Sequence, residues 1–221
     1  MASDIQKILL NHTKVIEEGY TVPGDLKYRS YAVTTLRGGV GKSTLTFNLA
    51  FEMSRKHTLL IADLCAQRNL TEHLMRGVGQ DVTILDALQP ALLGSAFGDV
   101  PDDISYRVSN YCDAFKGGKE AIFIPGSAEM FAFPSTLYQQ LQIANAQGNT
   151  TAIQKLLEIL KSVIEKEAKG KSAEKILMDT SPFYAGGTHL AWCAADALII
   201  PVRVDEHSIE SLALTLEMLT N

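Results

Sequence analysis

The sequence predicts an α/β protein in which a mostly parallel β-sheet is covered by helices on both faces. Short apolar runs alternate along the chain with stretches whose apolar residues recur at helical spacing, which is typical of parallel sheets. The short runs are largely apolar along their whole length, as expected of strands that are buried on both sides. A chain of 221 residues has the length of one such domain, or at most of two small ones.

The predicted strands are apolar runs that stop within two residues of a proline or a charged residue. Such runs, rich in residues that pack well on a pleated surface, favour buried strands. In chain order they are Tyr31–Thr35, Thr58–Ala62, Ala121–Ile124, Lys175–Met178 and Ala197–Val202.

The predicted helices are stretches in which apolar residues recur every three or four positions. The clearest is Ala152–Glu167, with apolar residues at positions 153, 156, 157, 160, 163 and 164. The others are Lys42–Arg55, Asn69–Met75, Thr188–Ala195, Ser208–Leu219 and a shorter fragment at Ile84–Leu88. The rest of residues 77–119 gives no clear pattern, because Gly, Pro and Asp are frequent there.

The first 25 residues are predicted to stand apart from the rest. Apolar residues between positions 3 and 18 follow a rough helical spacing, and Tyr20–Asp25 contains Pro23 and Gly24, which is typical of a linker. We therefore expect an N-terminal helix and linker over residues 1–25 and one larger domain over residues 26–221.

Composition and charge argue against several classes of protein. A net charge of −5 and the lack of a dense basic run give no general attraction for nucleic acid, so DNA is a partner that this sequence does not support. Cys65, Cys112 and Cys193 are odd in number and widely spaced, which indicates free thiols rather than disulfides or a zinc site. With no secretory signal pattern and no apolar run long enough to span a membrane, we expect a cytoplasmic protein without a membrane partner.

The segment Arg37–Thr44 has the composition of a phosphate-binding loop. It reads Arg-Gly-Gly-Val-Gly-Lys-Ser-Thr and lies between the first predicted strand and the first predicted helix. Its glycines let several backbone N–H groups face one anion, and the N-terminus of the helix adds its dipole. An ordinary glycine-rich turn is the alternative, but the strand, loop and helix context favours phosphate binding. The residues predicted to bind the nucleotide are Gly38, Gly39, Val40, Gly41, Lys42, Ser43 and Thr44.

Three side chains of this loop have expected roles toward a nucleoside triphosphate. Lys42 would reach the β- and γ-phosphates, and Ser43 would complete the shell of a Mg²⁺ ion. Thr44 is placed to bond the α-phosphate.

The wider pattern resembles the ParA/MinD family of ATPases. That family carries a deviant Walker A loop of the form x-K-G-G-x-G-K-[ST], whereas the standard motif requires Gly at the position of Leu36. Asp63–Thr71 is similar to the family's D-x-D-P-Q-x-N-x-T segment, Ile176–Pro182 looks like its Walker B strand, and Ala195–Val202 resembles the strand that follows. The resemblance implies a P-loop nucleotide-binding domain over residues 26–221, with ATP and Mg²⁺ as ligands.

The resemblance also implies roles for individual residues. Asp179 matches the Walker B carboxylate, which orients the Mg²⁺ shell with Ser43, although a helix cap is an alternative role. Asp63 matches the first acid of the D-x-D segment and would hold a Mg²⁺-bound water or a loop hydrogen bond. Arg37 takes the place of the signature lysine, which reaches the partner's nucleotide across a sandwich dimer. The predicted catalytic residues are Lys42, Arg37 and Asp63.

Two departures from the family pattern affect the expected activity. Arg37 keeps the charge of the signature lysine but not its geometry, and a solvated loop cation with no partner in trans is the alternative. Cys65 stands where the family has the second Asp, which positions the attacking water, and a thiol is a poor replacement for a carboxylate. We therefore expect slow or impaired hydrolysis, with Cys65 serving as a small buried side chain rather than as a redox group or nucleophile.

Three functions are compatible with this pattern. The first is a partition or positioning ATPase, in which ATP closes a homodimer and slow hydrolysis, stimulated by a protein activator or cargo adaptor, reopens it. The second, which Cys65 favours, is a sensor whose ATP-bound dimer recruits a partner without turnover. The third is a ligase or phosphotransfer enzyme, which requires an acceptor pocket that the sequence does not reveal.

Two other clusters are expected to be surface features. Lys116–Lys119 contains two glycines but precedes a strand, so we expect a surface turn. His207, with Asp205 and Glu206, stands just before a helix, where caps and solvated residues are common. The chain also ends where family members usually continue with another strand and more helices, so we expect a shortened protein or a shortened sequence.

Overall fold

The computed structural model describes residues 10, 13–14, 17, 26–94, 97–184, 186–203 and 205–220. The predicted N-terminal helix and linker over residues 1–25 therefore lie almost entirely outside the described residues. From residue 26 onward the described chain contains six strands and eight α-helices.

The strands form a single, mostly parallel sheet, as predicted. They are β1 (Ser30–Val33), β2 (Leu59–Asp63), β3 (Tyr106–Arg107), β4 (Ala121–Ile124), β5 (Lys175–Asp179) and β6 (Ala197–Ile199). Their order across the sheet is β3-β4-β2-β5-β1-β6. Every neighbouring pair is parallel except β3 and β4, which are antiparallel.

Eight α-helices alternate with these strands. They are α1 (Lys42–Ser54), α2 (Asn69–Met75), α3 (Ile84–Leu93), α4 (Phe133–Ala146), α5 (Thr150–Leu157), α6 (Ile159–Gly170), α7 (Gly186–Ala194) and α8 (Glu206–Thr220). Short 3₁₀ helices lie at Val108–Asn110, Asp113–Phe115 and Ala128–Phe131. None of the described helices is long and apolar enough to cross a membrane.

The helices cover both faces of the sheet. Successive side chains of a strand point to opposite faces, so each strand packs against helices on both sides. Leu60 and Ala62 of β2 pack in the cluster formed with α3, α4, α6 and α7. Leu59 and Ile61 of the same strand pack in a second cluster with α1, α2 and the 3₁₀ helices near residues 108–115. Each face of the sheet therefore has its own core.

The sheet register brings the ends of three strands together. Val33 at the end of β1 lies opposite Asp179 at the end of β5, and Asp63 at the end of β2 lies opposite the same residue. The loops that follow β1, β2 and β5 therefore meet at one carboxyl edge, which is where α/β sheets commonly bind ligands.

The helix predictions missed a break between two helices and missed one whole helix. Ala152–Glu167 is not one helix, because the backbone leaves helical geometry at Glu158 and the halves α5 and α6 pack differently. α5 lies against α4 and has no buried residue, whereas α6 packs on α3 and α7 and is buried along one side. α4 was not predicted, because polar residues predominate in it and only Phe133, Leu137 and Ala144 are buried.

Gly126, just after β4, leaves room for the end of β2. A Cβ at this position would lie 3.0 Å from Cγ and 3.1 Å from the carbonyl oxygen of Asp63.

Because Asp63 is fully buried, we expect Gly126→Ala to lower the free energy of unfolding by about 1–3 kcal/mol, the usual cost of overpacking. Urea denaturation measures the change. Gly79→Ala is the matched control, since a Cβ there meets no described atom within 4 Å, and equal losses in both variants would contradict the prediction.

Candidate functional site

The loop between β1 and α1 surrounds an open cavity, the phosphate-loop cavity. Gly39 and Gly41 have φ angles of 73° and 84°, in the left-handed region that favours glycine. Cβ atoms added at Gly38, Gly39 or Gly41 would meet no described atom within 4 Å, so this side of the loop is free. The cavity has a volume of 270 Å³. Its lining residues are Gly38, Gly39, Gly41, Lys42, Ser43, Thr44, Cys65, Gln67, Asn69, His73, Thr180 and Pro182.

Lys42 is the first residue of α1, and its ammonium group folds back over the loop. Nζ donates a hydrogen bond of 3.0 Å to the carbonyl oxygen of Arg37, and the side chain is buried. Burial lowers the pKa of Lys42, while the nearby Asp179 and Cys65 act in the opposite direction. An anion in the cavity would stabilise this desolvated charge.

Asp179, at the end of β5, is bonded to the first turns of α1. Ser43 Oγ donates to Oδ2 at 2.7 Å, and Thr46 Oγ1 donates to Oδ1 at 2.9 Å. Burial raises the pKa of Asp179 to about 7, and the neighbouring Asp63 adds to the rise. The two hydroxyl groups act against that rise and fix the orientation of the carboxylate.

Ser43 and Asp179 fit a magnesium ion. Their hydroxyl and carboxylate oxygens are hard ligands of the kind Mg²⁺ binds, and Mg²⁺ typically takes one or two protein oxygens beside phosphates and waters. No group of three or more His, Cys, Asp or Glu residues able to hold a metal was found in the described part of the chain. A buried carboxylate beside an anion cavity is unfavourable without a cation, so the donor set suits a metal that arrives with phosphates.

Asp63 makes hydrogen bonds within its own loop. Its Oδ1 accepts from the N–H of Cys65 at 3.0 Å, and its Oδ2 accepts from the N–H and the hydroxyl of Thr71 at 3.0 and 2.7 Å. Burial raises the pKa of Asp63. Of the two roles expected for this residue, the loop hydrogen bond is the one present in the structure.

Cys65 lies between two cavities and is 3% exposed. It lines the phosphate-loop cavity and also a larger, mainly apolar cavity of 510 Å³. Burial raises the pKa of its thiol to about 11, so the thiol is uncharged at neutral pH. The structure therefore agrees with the expectation of a small buried side chain.

Arg37 points away from the cavity, toward α8. Its Nη1 pairs with Oδ1 of Asp205 and donates to Ser208 Oγ at 2.9 Å. Asp205 in turn accepts from the N–H of Ser208, and this bond is the first cause that holds the pKa of Asp205 low, with Arg37 adding to it. This contact could not be predicted from the sequence, because the two partners are 168 positions apart.

A tryptophan connects the phosphate loop with the loop after β5. Trp192 Nε1 donates to Thr34 Oγ1 at 2.9 Å, where the chain leaves β1. Tyr184, in the loop after β5, packs against the same indole with ring centroids 5.0 Å apart. The two loops that border the cavity are thus joined through one side chain of α7.

Helical spacing could have revealed site residues that sequence reasoning missed. Thr46 stands one turn after Lys42 on α1, and His73 stands one turn after Asn69 on α2. Both pairs share a face of their helix. Thr46 therefore reaches Asp179, and His73 lines the cavity together with Asn69.

Lys116–Lys119 and the cluster around His207 both lie at the surface, as predicted. Lys116 pairs with Asp113 and Lys119 with Glu174, in an exposed turn before β4. His207 lies near Glu210, at 3.4 Å. Neither cluster lines the phosphate-loop cavity.

Comparison with known proteins identifies the family. A family model described as an AAA domain matches residues 28–221. The chain belongs to the AAA domain family. The matched region contains every strand of the sheet and the whole phosphate-loop cavity.

Several solved structures share the fold of this AAA domain. McdA from Cyanothece, in complex with ATP, has 21% identity and a TM-score of 0.65 over 89% of this chain and 64% of McdA. A plasmid partition protein from Borrelia burgdorferi has 21% identity and a TM-score of 0.63 over 86% of this chain and 72% of its own. Cobyrinic acid a,c-diamide synthase from Mycobacterium smegmatis, with bound ADP and magnesium, has 19% identity and a TM-score of 0.65 over 87% of this chain and 67% of its own.

These comparisons confirm the predicted ParA/MinD-type P-loop fold. At such identities the likeness concerns the fold alone, and this AAA domain spans only about two thirds of the length of McdA. No curated protein matches the chain.

Asp179→Asn tests the buried carboxylate. Since the pKa of Asp179 rises from 3.8 to about 7 on folding, its contribution to stability is complete below about pH 3.8 and is lost as the pH rises through about 7. We expect the variant to melt at a higher temperature than the wild type at pH 8 in EDTA, with a smaller difference at pH 5. Thermal unfolding followed by circular dichroism measures both.

Asp196→Asn is the control of opposite sign. The N–H of Ser30 is the first cause that lowers the pKa of Asp196, so its charged form stabilises the fold and its loss lowers the melting temperature at pH 8. A stabilisation by Asp179→Asn that does not depend on pH would contradict the assignment.

Proposed function

We propose that this AAA domain binds ATP with Mg²⁺, forms a homodimer when ATP is bound, and acts in the partition or positioning of DNA or other cargo. The observation that carries the proposal is the contact of Ser43 with Asp179 beside an open glycine loop. It combines a candidate metal ligand pair with an anion cavity at the carboxyl edge of the sheet. The fold shared with McdA and a plasmid partition protein supports the biological role.

In the proposed binding mode, the loop and the side chains around the cavity bind different parts of the nucleotide and its metal ion. The backbone N–H groups from Gly38 to Thr44 bond the phosphates, with the dipole of α1 behind them. Lys42 adds a positive charge next to the β- and γ-phosphates. Ser43 and Asp179 hold Mg²⁺, which when bound would neutralise charge on the phosphate oxygens.

Arg37 is proposed to act across the dimer. In the single chain its guanidinium group is occupied by Asp205 and Ser208. These contacts are partly exposed and therefore weak enough for a phosphate to replace them. Closing the dimer would then transfer Arg37 from a carboxylate of its own chain to the nucleotide of the partner.

Hydrolysis is proposed to be slow, because Cys65 is a protonated thiol where the related segment has a carboxylate. The second candidate function is therefore a sensor that dimerises on ATP without turnover. A ligase-type reaction is less favoured. The 510 Å³ cavity beside Cys65 has no charged side chain among its described lining residues, so none of them could form an ion pair with an ionised acceptor.

One experiment separates these functions. Purified protein with ATP and Mg²⁺ is analysed by gel filtration with light scattering for dimerisation, and by phosphate release for turnover. Dimerisation with slow release supports the ATPase, and dimerisation without release supports the sensor. A protein that stays monomeric and binds no nucleotide would contradict both.

Cys65→Asp should raise turnover. A positioned acid–base group contributes about 10²–10⁴ in rate, so an increase of at least about tenfold in phosphate release is expected under saturating ATP. Cys65→Ser, of similar size and without a carboxylate, is the control. An unchanged rate in Cys65→Asp would show that residue 65 does not face the attacking water.

Arg37→Ala should weaken the ATP-bound dimer while leaving nucleotide binding by the monomer nearly unchanged. Gel filtration with ATP over a range of protein concentrations gives the dimer affinity, and a fluorescent ATP analogue gives monomer binding. Arg55→Ala, at an exposed arginine paired with Glu52, is the control. Equal losses of both properties in Arg37→Ala would contradict the role in trans.

A further inference from the structure

The phosphate-loop cavity contains a histidine to which none of the proposed steps assigns a role. His73 lines the cavity together with the glycines of the loop, Lys42 and Cys65. It lies one turn after Asn69 on α2, and both side chains face the cavity from that helix. α2 packs on α1, so His73 lies on a helix that contacts the one beginning at Lys42.

The imidazole ring is exposed, and its described contact is with an aromatic ring rather than with a polar group. It lies edge-on to Phe47 of α1, with ring centroids 6.4 Å apart and planes at 69°. Within the described residues, neither ring nitrogen makes a hydrogen bond or an ion pair. Its nitrogens are thus available to a molecule in the cavity.

Three of the described lining residues, Lys42, Cys65 and His73, have titratable side chains. The first two are unsuited to accept a proton from water. Lys42 is needed as a cation for the phosphates. Cys65 keeps its proton at neutral pH, because burial raises its pKa to about 11. The carboxylates of Asp63 and Asp179 are outside the lining and are bonded to loop N–H groups and hydroxyls. His73 remains, and imidazole is the usual proton acceptor near neutral pH.

We propose that His73 is the general base for hydrolysis, replacing the carboxylate that Cys65 does not provide. This rests on the proposed ATP-binding function of the same site. A water oxygen forms a bond to the γ-phosphorus while the bond from that phosphorus to the β–γ bridging oxygen breaks. The bond's electron pair leaves with ADP, and a proton of the water moves to a ring nitrogen of His73, which later returns it to solvent.

The test measures the steady-state kcat of ATP hydrolysis and the affinity for ATP in parallel. His73→Gln is expected to lower kcat about 10²-fold and to change the affinity for ATP less than twofold. His73→Ala leaves an exposed gap, so added imidazole should restore a large part of its turnover. Glu72→Gln, at the adjacent exposed residue of α2, is the matched control and should behave as wild type.

A double variant distinguishes a base from a structural residue. In the Cys65→Asp background a carboxylate can accept the proton, so His73→Gln should then have a much smaller effect on kcat. Equal effects in both backgrounds, or no rescue by imidazole, would overturn the proposal. So would a loss of ATP affinity with kcat unchanged, since His73 would then be a phosphate contact.

Failure of this inference and failure of the proposed function give different results. A wild type that binds ATP and dimerises, but hydrolyses no faster than His73→Gln, overturns the base while the nucleotide-dependent dimer stands. A wild type that binds no ATP overturns the function itself.

Discussion

The buried carboxylate of Asp179, at the carboxyl end of β5, determines how α1 and the glycine loop are held against the sheet. A fully buried carboxylate in this position needs hydrogen bonds or a cation. Ser43 and Thr46 supply two hydroxyl groups from successive turns of α1, which fixes the helix against β5. Because α1 begins at Lys42, the same contacts fix the helix N-terminus under the glycine loop. The same two hydrogen bonds therefore support both the packing of α1 on the sheet and the position of the glycine loop.

The carboxylates of Asp63 and Asp179 also give a physical reason for a neutral side chain at position 65. Asp63 and Asp179 are neighbours in the register of β2 and β5, and each is fully buried. A third carboxylate at position 65 would add negative charge to this edge, and a neutral thiol avoids that repulsion. Under the proposed function, the thiol would slow hydrolysis without weakening binding, since the phosphates and Mg²⁺ are assigned to other residues.

The sequence predicted the strands and the phosphate loop well because their signals are local. An apolar run, a glycine-rich turn and a helix start are all contained within a few residues, and the register of β1 with β5 then follows from the fold. The break at Glu158 and the helix α4 were missed because they depend on which neighbour each segment packs against. The contact of Arg37 with Asp205 was missed for the same reason. His73 was overlooked because no motif contains it, and only its spacing from Asn69 on α2 links it to the cavity.

The chain contains a single tryptophan, and its position has a practical consequence. The indole of Trp192 donates to Thr34 at the base of the phosphate loop and touches the ring of Tyr184 in the loop after β5. A change in either loop alters the surroundings of that one fluorophore. The fold thus carries its own optical reporter, and loop movement can be followed in the unlabelled wild-type chain by the emission of one side chain.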